Sequence, residues 1–180
     1  MTDVIIIGDG PAGLSAALFL AKRDMDVDVF GPDNTPMHKA MLYNYLGIPE
    51  MTGTEFQEVS REQVQEFGAN LHDTKVSTAE QTDDGFAIQT TDGESFEAPY
   101  VILATSNKSL MDALELDRDG GTVEVDRNGR TNVDGAYAVG WATRAQKIQA
   151  IISAGDGAAA ALDILSAEAG EDVHDFDVPE

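Results

Sequence analysis

The sequence contains no cysteine among its 180 residues. This excludes a thiol nucleophile, a disulfide-exchange centre and a thiolate metal site, so any redox chemistry needs a bound cofactor. Histidine is scarce as well, since only His38, His72 and His174 occur and none has a second ligand at metal spacing. We therefore expect no metal site.

Basic residues are also few. The chain has 11 Lys plus Arg against 33 Asp plus Glu, which gives a formal net charge of -22 at pH 7. This charge disfavours nucleic acid and anionic membranes as partners, because phosphate contacts need clustered cations. The acids are scattered along the chain, a pattern typical of the carboxylate coat of halophilic proteins.

Long apolar runs are missing too. No stretch reaches the roughly 18 consecutive apolar residues that span a bilayer. The chain enters its first predicted strand without a basic leader. These features predict a soluble cytoplasmic protein that does not insert into a membrane.

The apolar pattern that is present predicts an α/β fold. A β-branched run at residues 3–7 stops at Gly8, helical spacing follows at 14–22, and a second strand at 27–30 completes a βαβ unit. Continuous apolar runs at 100–104 and 136–139 are typical of buried parallel strands. We predict a Rossmann-like parallel sheet with helices.

The remaining segments complete the predicted architecture. Residues 54–67 fit a solvent-facing helix, and 146–165 an alanine-rich helix whose Gly155 and Gly157 we expect to pack on the first helix. Short alternating runs separated by Asp-Gly turns predict a three-stranded antiparallel β-meander at about 75–99. We therefore expect one domain at 1–166 with the meander inserted, followed by an acidic C-terminal tail at 167–180.

The turn after the first strand reads Gly8-Asp9-Gly10-Pro11-Ala12-Gly13. The first glycine permits the tight turn, the second lets a pyrophosphate approach the backbone, and the third lets helix and strand pack closely. Since the motif joins a strand to a helix at the start of a βαβ unit, it predicts dinucleotide binding. The alternative is a glycine turn kept only for packing.

An acid that binds the adenosine ribose is expected at the end of the second strand. That position is Gly31 here, while Asp28 lies on the strand and points elsewhere by alternation. Asp33 lies two residues past the strand end and is the candidate ribose ligand. The alternative for Asp33 is a solvated loop acid.

Further segments match one family in order and spacing. They are Asn44-Tyr45-Leu46-Gly47-Ile48-Pro49, the strand at 100–105, the segment from Arg130 to Gly140, Ile148-Gln149-Ala150, and the run from Ser153 to Gly157. Together with residues 4–20, they resemble the FAD domain of the low-molecular-weight thioredoxin reductase family, among the two-dinucleotide-binding-domain flavoproteins. The resemblance implies an FAD/NAD(P)-binding domain fold.

The resemblance also implies the residues that would bind FAD. The pyrophosphate would contact Gly8, Gly10, Pro11, Ala12 and Gly13, and Asn44 and Thr105 would line the cofactor channel. The ribityl chain and flavin would be surrounded by Gly140, Trp141, Ile148, Gln149 and Ala150. For Ile148 and Ala150, simple core packing is an equal alternative.

The sequence departs from the family at the flavin end. Between Thr105 and Leu114 the family inserts an NADPH-binding domain that carries a Cys-x-x-Cys pair, and here only a short connection is present. The family's aspartate after Gly140 is Trp141, whose indole only donates hydrogen bonds. Ser106 replaces a family glycine, and the glycine pair expected within 35–40 is missing. A complete thioredoxin reductase is thereby excluded.

Three functions follow from these features. The first is a minimal FAD-dependent oxidoreductase that uses an external electron donor or a redox partner protein, without a dedicated NAD(P) domain. The second is a module that binds FAD or another adenine nucleotide without turnover, and the third is a scaffold subunit without cofactor. The family resemblance also implies a homodimer. No residue is assigned a catalytic role.

Overall fold

A computed structural model of the protein describes residues 2–179. Residues 1 and 180, the outer ends of the predicted domain and tail, lie outside the described residues. The elements in chain order are β1 (Val4–Ile7), α1 (Pro11–Ala21), β2 (Val27–Phe30), β3 (Met41–Leu42), β4 (Met51–Thr52), α2 (Gly53–Glu66), β5 (Asn70–His72), β6 (Val76–Thr82), β7 (Gly85–Thr90), β8 (Ser95–Ala98), β9 (Tyr100–Leu103), α3 (Lys108–Ala113), β10 (Arg118–Asp119), β11 (Thr122–Val123), β12 (Ala136–Ala138) and α4 (Ala150–Ala169). Single 3-10 turns lie at Pro36–Lys39 and Gly140–Ala142.

The central layer is a five-stranded parallel sheet in the order β12-β9-β1-β2-β5. Its middle strand is fully buried, and Ile6 pairs with Val29 on one side and with Ile102 on the other. The predicted Rossmann-like sheet is therefore confirmed. The chain fills the sheet from β1 toward β5 and then returns to β9, so a topological switch point lies between β1 and β9. Ligands of such sheets bind at the carboxyl ends of the strands there.

Helices α1 and α4 cover one face of the sheet and pack closely on each other. A Cβ atom at Gly157 would overlap the carbonyl oxygen of Ala12 and lie 2.9 Å from its carbon. The predicted close packing of Gly157 on α1 is therefore confirmed. For Gly155 the prediction is wrong, because this residue is exposed and a Cβ there would meet nothing within 4 Å. Two residues correspond to about 200° of helical rotation, so Gly155 faces away from α1.

The opposite face of the sheet packs against the three-stranded antiparallel sheet β6-β7-β8 and against α3. Ile5 and Leu103 of the parallel sheet join Phe86 and Ile88 of the antiparallel one in a buried cluster. The predicted β-meander is confirmed. The molecule thus has helices, the parallel sheet and the antiparallel sheet as successive layers.

The bounds of α4 differ from the prediction at both ends. Gln149 has extended backbone angles (φ -141°, ψ 151°), so the helix begins at Ala150 and not at residue 146. It continues through Ala169 and ends where Gly170 adopts a left-handed conformation with φ of 71°. The helix therefore extends past residue 166, the predicted end of the domain, into the first residues of the predicted acidic tail.

The described part of the tail folds back toward the end of α1. The amide of Val173 donates to Ser166 Oγ at 3.0 Å. Lys22 Nζ pairs with Asp175 at 2.7 Å and with Asp177 at 2.5 Å. One of the few cations of the chain thus binds two acids of the tail.

Helix α4 is long and apolar enough to meet the length and hydropathy criterion for a membrane span. Its inner face is buried, however, with Ala160, Ala161 and Ile164 fully enclosed in the core beside α1. A core helix of a globular domain meets the same criterion. The cytoplasmic location and the halophilic habit stay predictions.

Asp163 anchors α4 to the end of the sheet. Its carboxylate accepts hydrogen bonds from Tyr137 Oη at 2.7 Å, Arg130 Nε at 2.5 Å and Asn128 Nδ2 at 3.0 Å. Burial raises the pKa of Asp163, but the bonds from Arg130 and Tyr137 outweigh burial and hold this pKa below its usual value. The ionised carboxylate therefore fixes the helix next to β12, the strand that leads to Gly140.

Candidate functional site

A cavity of about 640 Å³ opens at the carboxyl ends of β1, β2 and β9. Its volume is within the range of small-molecule and cofactor sites. It lies at the switch point of the sheet, where α/β proteins of this topology bind their ligands. We therefore treat it as the candidate cofactor site.

Most of the residues predicted to bind the cofactor line this cavity. They are Gly8, Gly10, Pro11, Ala12, Asn44, Thr105, Trp141, Ile148, Gln149 and Ala150. Although the chain separates these segments by up to about 140 residues, the fold brings them together. Gly13, Gly140 and Asp33 do not line the cavity.

Gly13 and Gly140 lie directly behind the lining residues. A Cβ at Gly13 would overlap the carbonyl oxygen of Gly8. Gly140 has φ of 60°, and a Cβ there would lie 2.9 Å from the Ala12 side chain. Both glycines therefore shape the turn by close packing, as the sequence motif predicts for its third glycine.

The N-termini of α1 and α4 both meet the cavity, and neither has a side-chain cap. Gly10 precedes α1 and Gln149 precedes α4, with no side-chain hydrogen bond to the first-turn amides and no acidic residue in either first turn. The first amides of a helix have no acceptor within the helix and carry partial positive charge. Two such sets of donors are thus available to an anion in one cavity.

The other two α-helices, α2 and α3, have side-chain caps. Thr52 and Glu55 form a complete capping box at the start of α2. Asn107 accepts a hydrogen bond from the Ser109 amide at the start of α3. The missing side-chain caps therefore distinguish α1 and α4 from the other two α-helices, including α3, whose cap Asn107 also lines the cavity.

The backbone at Gly10 is accessible from the cavity. A Cβ at this position would meet nothing within 4 Å, and the residue has φ of -81°, which any amino acid can adopt. The glycine is therefore not required by backbone strain or by packing. Its lack of a side chain allows a ligand to approach the amides of α1.

The far end of the cavity is formed by the loop after β3 and by the segment before α4. Asn44 Nδ2 donates to Gln149 Oε1 at 2.9 Å, which joins two of the predicted ligands. Trp141 also lines the cavity and is 47% exposed. The resemblance implies a carboxylate at this position, so the cavity has a ring surface and a donor there instead of an acceptor.

The structure adds Asp9, which the sequence motif treated only as a variable position. Asp9 lines the cavity and is 5% exposed. Arg61 Nη1 of α2 pairs with Asp9 Oδ2 at 2.6 Å, and Gln57 Nε2 donates to its carbonyl oxygen at 2.5 Å. Burial raises the pKa of Asp9 more than the Asp33 amide and Arg61 lower it. A carboxylate between the first two glycines of the turn was the available signal in the sequence.

Asp33, the predicted ribose ligand, lies outside the cavity although its neighbours Gly31, Pro32 and Asn34 line it. Its carboxylate oxygen Oδ1 is 3.0 Å from His38 Nε2, and its backbone is left-handed with φ of 47°. The Asp33 amide, by contrast, donates to Asp9 Oδ2 at 2.8 Å. The loop therefore directs the side chain of Asp33 away from the site and its amide toward Asp9.

Within residues 2–179, no group of three or more acidic or histidine side chains is arranged to hold a metal ion.

Comparison with known proteins identifies the family of the chain. The family model of the pyridine nucleotide-disulphide oxidoreductases matches residues 2–70 and 47–158. The chain belongs to the pyridine nucleotide-disulphide oxidoreductase family. This match, together with the thioredoxin reductases described below, confirms the predicted resemblance.

Curated relatives in this oxidoreductase family are similar over more than half of the chain. A ferredoxin–NADP reductase of Nitrobacter hamburgensis is 34% identical over 118 residues, which are 61% of this chain and 34% of that protein. A thioredoxin reductase of Helicobacter pylori is 34% identical over 110 residues, 58% of this chain and 35% of that protein. The chain thus spans about a third of the length of the curated relatives that it matches.

A solved thioredoxin reductase shares the fold. The atypical thioredoxin reductase TRi from Desulfovibrio vulgaris Hildenborough superposes with a TM-score of 0.87 at 20% identity. The superposition covers 95% of this chain and 99% of that one. The three-layer arrangement of the present chain is therefore the thioredoxin reductase fold.

Proposed function

We propose that the chain binds FAD and acts as a thioredoxin-reductase-like oxidoreductase that exchanges electrons with an external donor or partner protein. The observation that carries this proposal is the convergence of two uncapped helix N-termini, those of α1 and α4, on one cavity. A dinucleotide with a pyrophosphate between two ring systems is the ligand that this arrangement suits. The resemblance to flavoproteins then favours FAD.

The residues present fit this cofactor. Gly10 leaves open space in front of the first-turn amides of α1, and Lys75 lines the cavity as an additional cation. The pyrophosphate would bind at the turn between Gly8 and Ala12, with Gly13 supporting the turn from behind. Asn44 and Thr105 would line the channel between this turn and the flavin.

At the other end, the first turn of α4 would direct its positive terminus at the pyrimidine side of the flavin. FAD, when bound, supplies a ring that accepts and releases two electrons. Gln149 and Asn44 hold each other through one hydrogen bond and so fix the polar edge of this end. Ile148, which also lines the cavity, would cover the ring and exclude water from it.

The short connection after β9 supports the proposal of an external electron donor. Residues 104–107 alone join β9 to α3, at the point where the resemblance implies a nicotinamide-binding domain. Apolar side chains are exposed beside the cavity on the loop after β3, namely Tyr43 at 67% and Leu46 at 89%. We propose this surface for a redox partner protein or for the second subunit of a homodimer.

One observation favours a second function. Trp141 replaces the acceptor that the resemblance implies for the flavin ribityl chain, and it lines the cavity. A site that keeps its pyrophosphate end and changes its flavin end suits a module that holds FAD or an adenine nucleotide without turnover.

The two functions are separated by the absorption spectrum of the protein purified at high salt, with and without added FAD. The oxidoreductase predicts a flavin spectrum that bleaches when a reduced donor is added, and FAD as the nucleotide released on denaturation. Bound flavin that no donor reduces, or an adenine nucleotide without flavin, would establish the second function. A protein that binds neither FAD nor any adenine nucleotide would contradict both.

Replacement of Trp141 by aspartate tests the flavin end of the site. We expect Trp141→Asp to bind FAD about tenfold more tightly, because a carboxylate accepts a charge-assisted hydrogen bond. Titration of FAD by fluorescence quenching measures the change, with Trp141→Ala as the control for loss of the indole alone. If both variants bind FAD more weakly than the wild type, the indole itself contacts the cofactor.

A further inference from the structure

The acid that should bind the adenosine ribose is missing from its usual place. Strand β2 ends at Phe30 and is followed by Gly31, which lines the cavity. Asp28, on the strand, pairs instead with His72 Nε2 at 2.6 Å. Asp33 pairs with His38 outside the cavity. If FAD binds here, its ribose hydroxyls need another acceptor.

The carboxylate of Asp9 occupies the space next to Gly31. A Cβ built on Gly31 would lie 2.6 Å from Asp9 Cβ and would overlap Asp9 Cγ and Oδ1. A side chain that starts at position 31 and the Asp9 carboxylate therefore exclude each other. The missing side chain at Gly31 thus makes room for the carboxylate of Asp9 in the glycine-rich turn.

Asp9 is held in place from two sides. The Asp33 amide and Arg61 Nη1 both bond to Oδ2, at 2.8 Å and 2.6 Å. Oδ1 is the oxygen on the side of Gly31, and neither of these donors bonds to it. One oxygen is thus used for positioning, while the other lies beside Gly31, the lining residue at the end of β2 where the ribose acid is expected.

We propose that Asp9 is the carboxylate that binds the 2′-hydroxyl of the adenosine ribose, in place of an acid at the end of β2. The inference rests on the proposed function, since it assumes that an ADP moiety enters the cavity. Arg61 is a positioning residue in this arrangement: it fixes the carboxylate of Asp9 without lining the cavity itself.

The test uses ADP and 2′-deoxy-ADP as probes of the adenosine half and FAD as the full ligand, with affinities measured by calorimetry on the whole chain. Wild type should bind ADP about tenfold to 100-fold more tightly than 2′-deoxy-ADP, because a hydrogen bond to a charged acceptor is lost. In Asp9→Asn we expect FAD and ADP to bind more weakly. The difference in affinity between ADP and 2′-deoxy-ADP should also become smaller than in the wild type. Such non-additivity locates the contact at the 2′-hydroxyl.

Two further variants sharpen the test. Asp9→Ser combined with Gly31→Glu returns the acid to the end of β2 and should recover most of the lost affinity for ADP. Asp73→Asn is the matched control, because Asp73 pairs with the other nitrogen of Arg61 but is 74% exposed and does not line the cavity. Its affinity for ADP should equal that of the wild type.

The outcomes distinguish the two levels of the proposal. If the wild type binds neither FAD nor ADP, the proposed function is wrong. If the wild type binds FAD but does not distinguish ADP from 2′-deoxy-ADP, the role of Asp9 is wrong while the proposed function stands. This comparison needs no variant, so it remains decisive if Asp9→Asn fails to fold.

Discussion

Replacement of Gly10 by aspartate is expected to abolish FAD binding while leaving the fold intact. Gly10 precedes α1 with φ of -81° and ψ of -173°, the extended conformation that capping residues adopt. Aspartate is a preferred residue at this position, so the variant should be as stable as the wild type or slightly more stable. Its carboxylate would, however, take the first-turn amides and stand where the pyrophosphate binds.

The loss of affinity should be large, because placing like charges side by side costs several kcal/mol and therefore at least about 100-fold in the dissociation constant. Gly10→Asn is the matched control, since it has the same shape and caps the helix without charge. The difference in FAD affinity between the two variants measures the electrostatic contribution to the loss of binding. This difference should become smaller as the salt concentration is raised. Unchanged FAD affinity in Gly10→Asp would show that the pyrophosphate does not bind at this turn.

This prediction depends on a segment whose structure follows from local sequence. The apolar run of β1, the glycine-rich turn and the helical spacing of α1 are contiguous, so their pattern alone indicates strand, turn and helix. The same holds for β9, whose uninterrupted apolar residues required a buried parallel strand. The fold class was accessible for this reason.

Elements with little local pattern could not be predicted. Strand β5 has three residues, two of them polar, and it is a strand because β2 offers a free edge. Helix α3 has six residues, too few for a helical period to be visible. Their structure is decided by the neighbours that the fold provides, as expected for short segments.

The residues at the adenosine end of the site also could not be predicted from local sequence. Sequence spacing led to Asp33 as the ribose ligand, but its left-handed backbone and its contact with His38 turn the carboxylate away from the cavity. The alternative, Asp9, is fixed by Arg61, which lies 52 residues away in sequence. No local pattern indicates such a pair, whereas the roles of Gly10 and Gly13 follow from the motif itself.

The two glycines of α4 lead to the second large prediction. Gly157→Ala is expected to destabilise the protein by about 3 kcal/mol or more, since an added methyl in a close-packed contact forces backbone shifts. The new Cβ would overlap the Ala12 carbonyl oxygen and lie 3.1 Å from the Ala16 amide nitrogen. Since these are backbone atoms of α1, no side-chain rotation relieves the clash. Urea denaturation measures the change in the free energy of unfolding.

Gly155→Ala is the matched control in the same helix. Position 155 is exposed and its Cβ would meet nothing, so alanine should stabilise the protein by about 1 kcal/mol through helix propensity alone. The same substitution is thus expected to change the free energy of unfolding in opposite directions at the two positions. Because Ala12 belongs to the turn that faces the cavity, Gly157→Ala should also weaken FAD binding, while Gly155→Ala should not. Equal stability of the two variants would mean that α1 and α4 do not pack closely at Gly157. The placement of the two helix N-termini at one cavity would then be wrong.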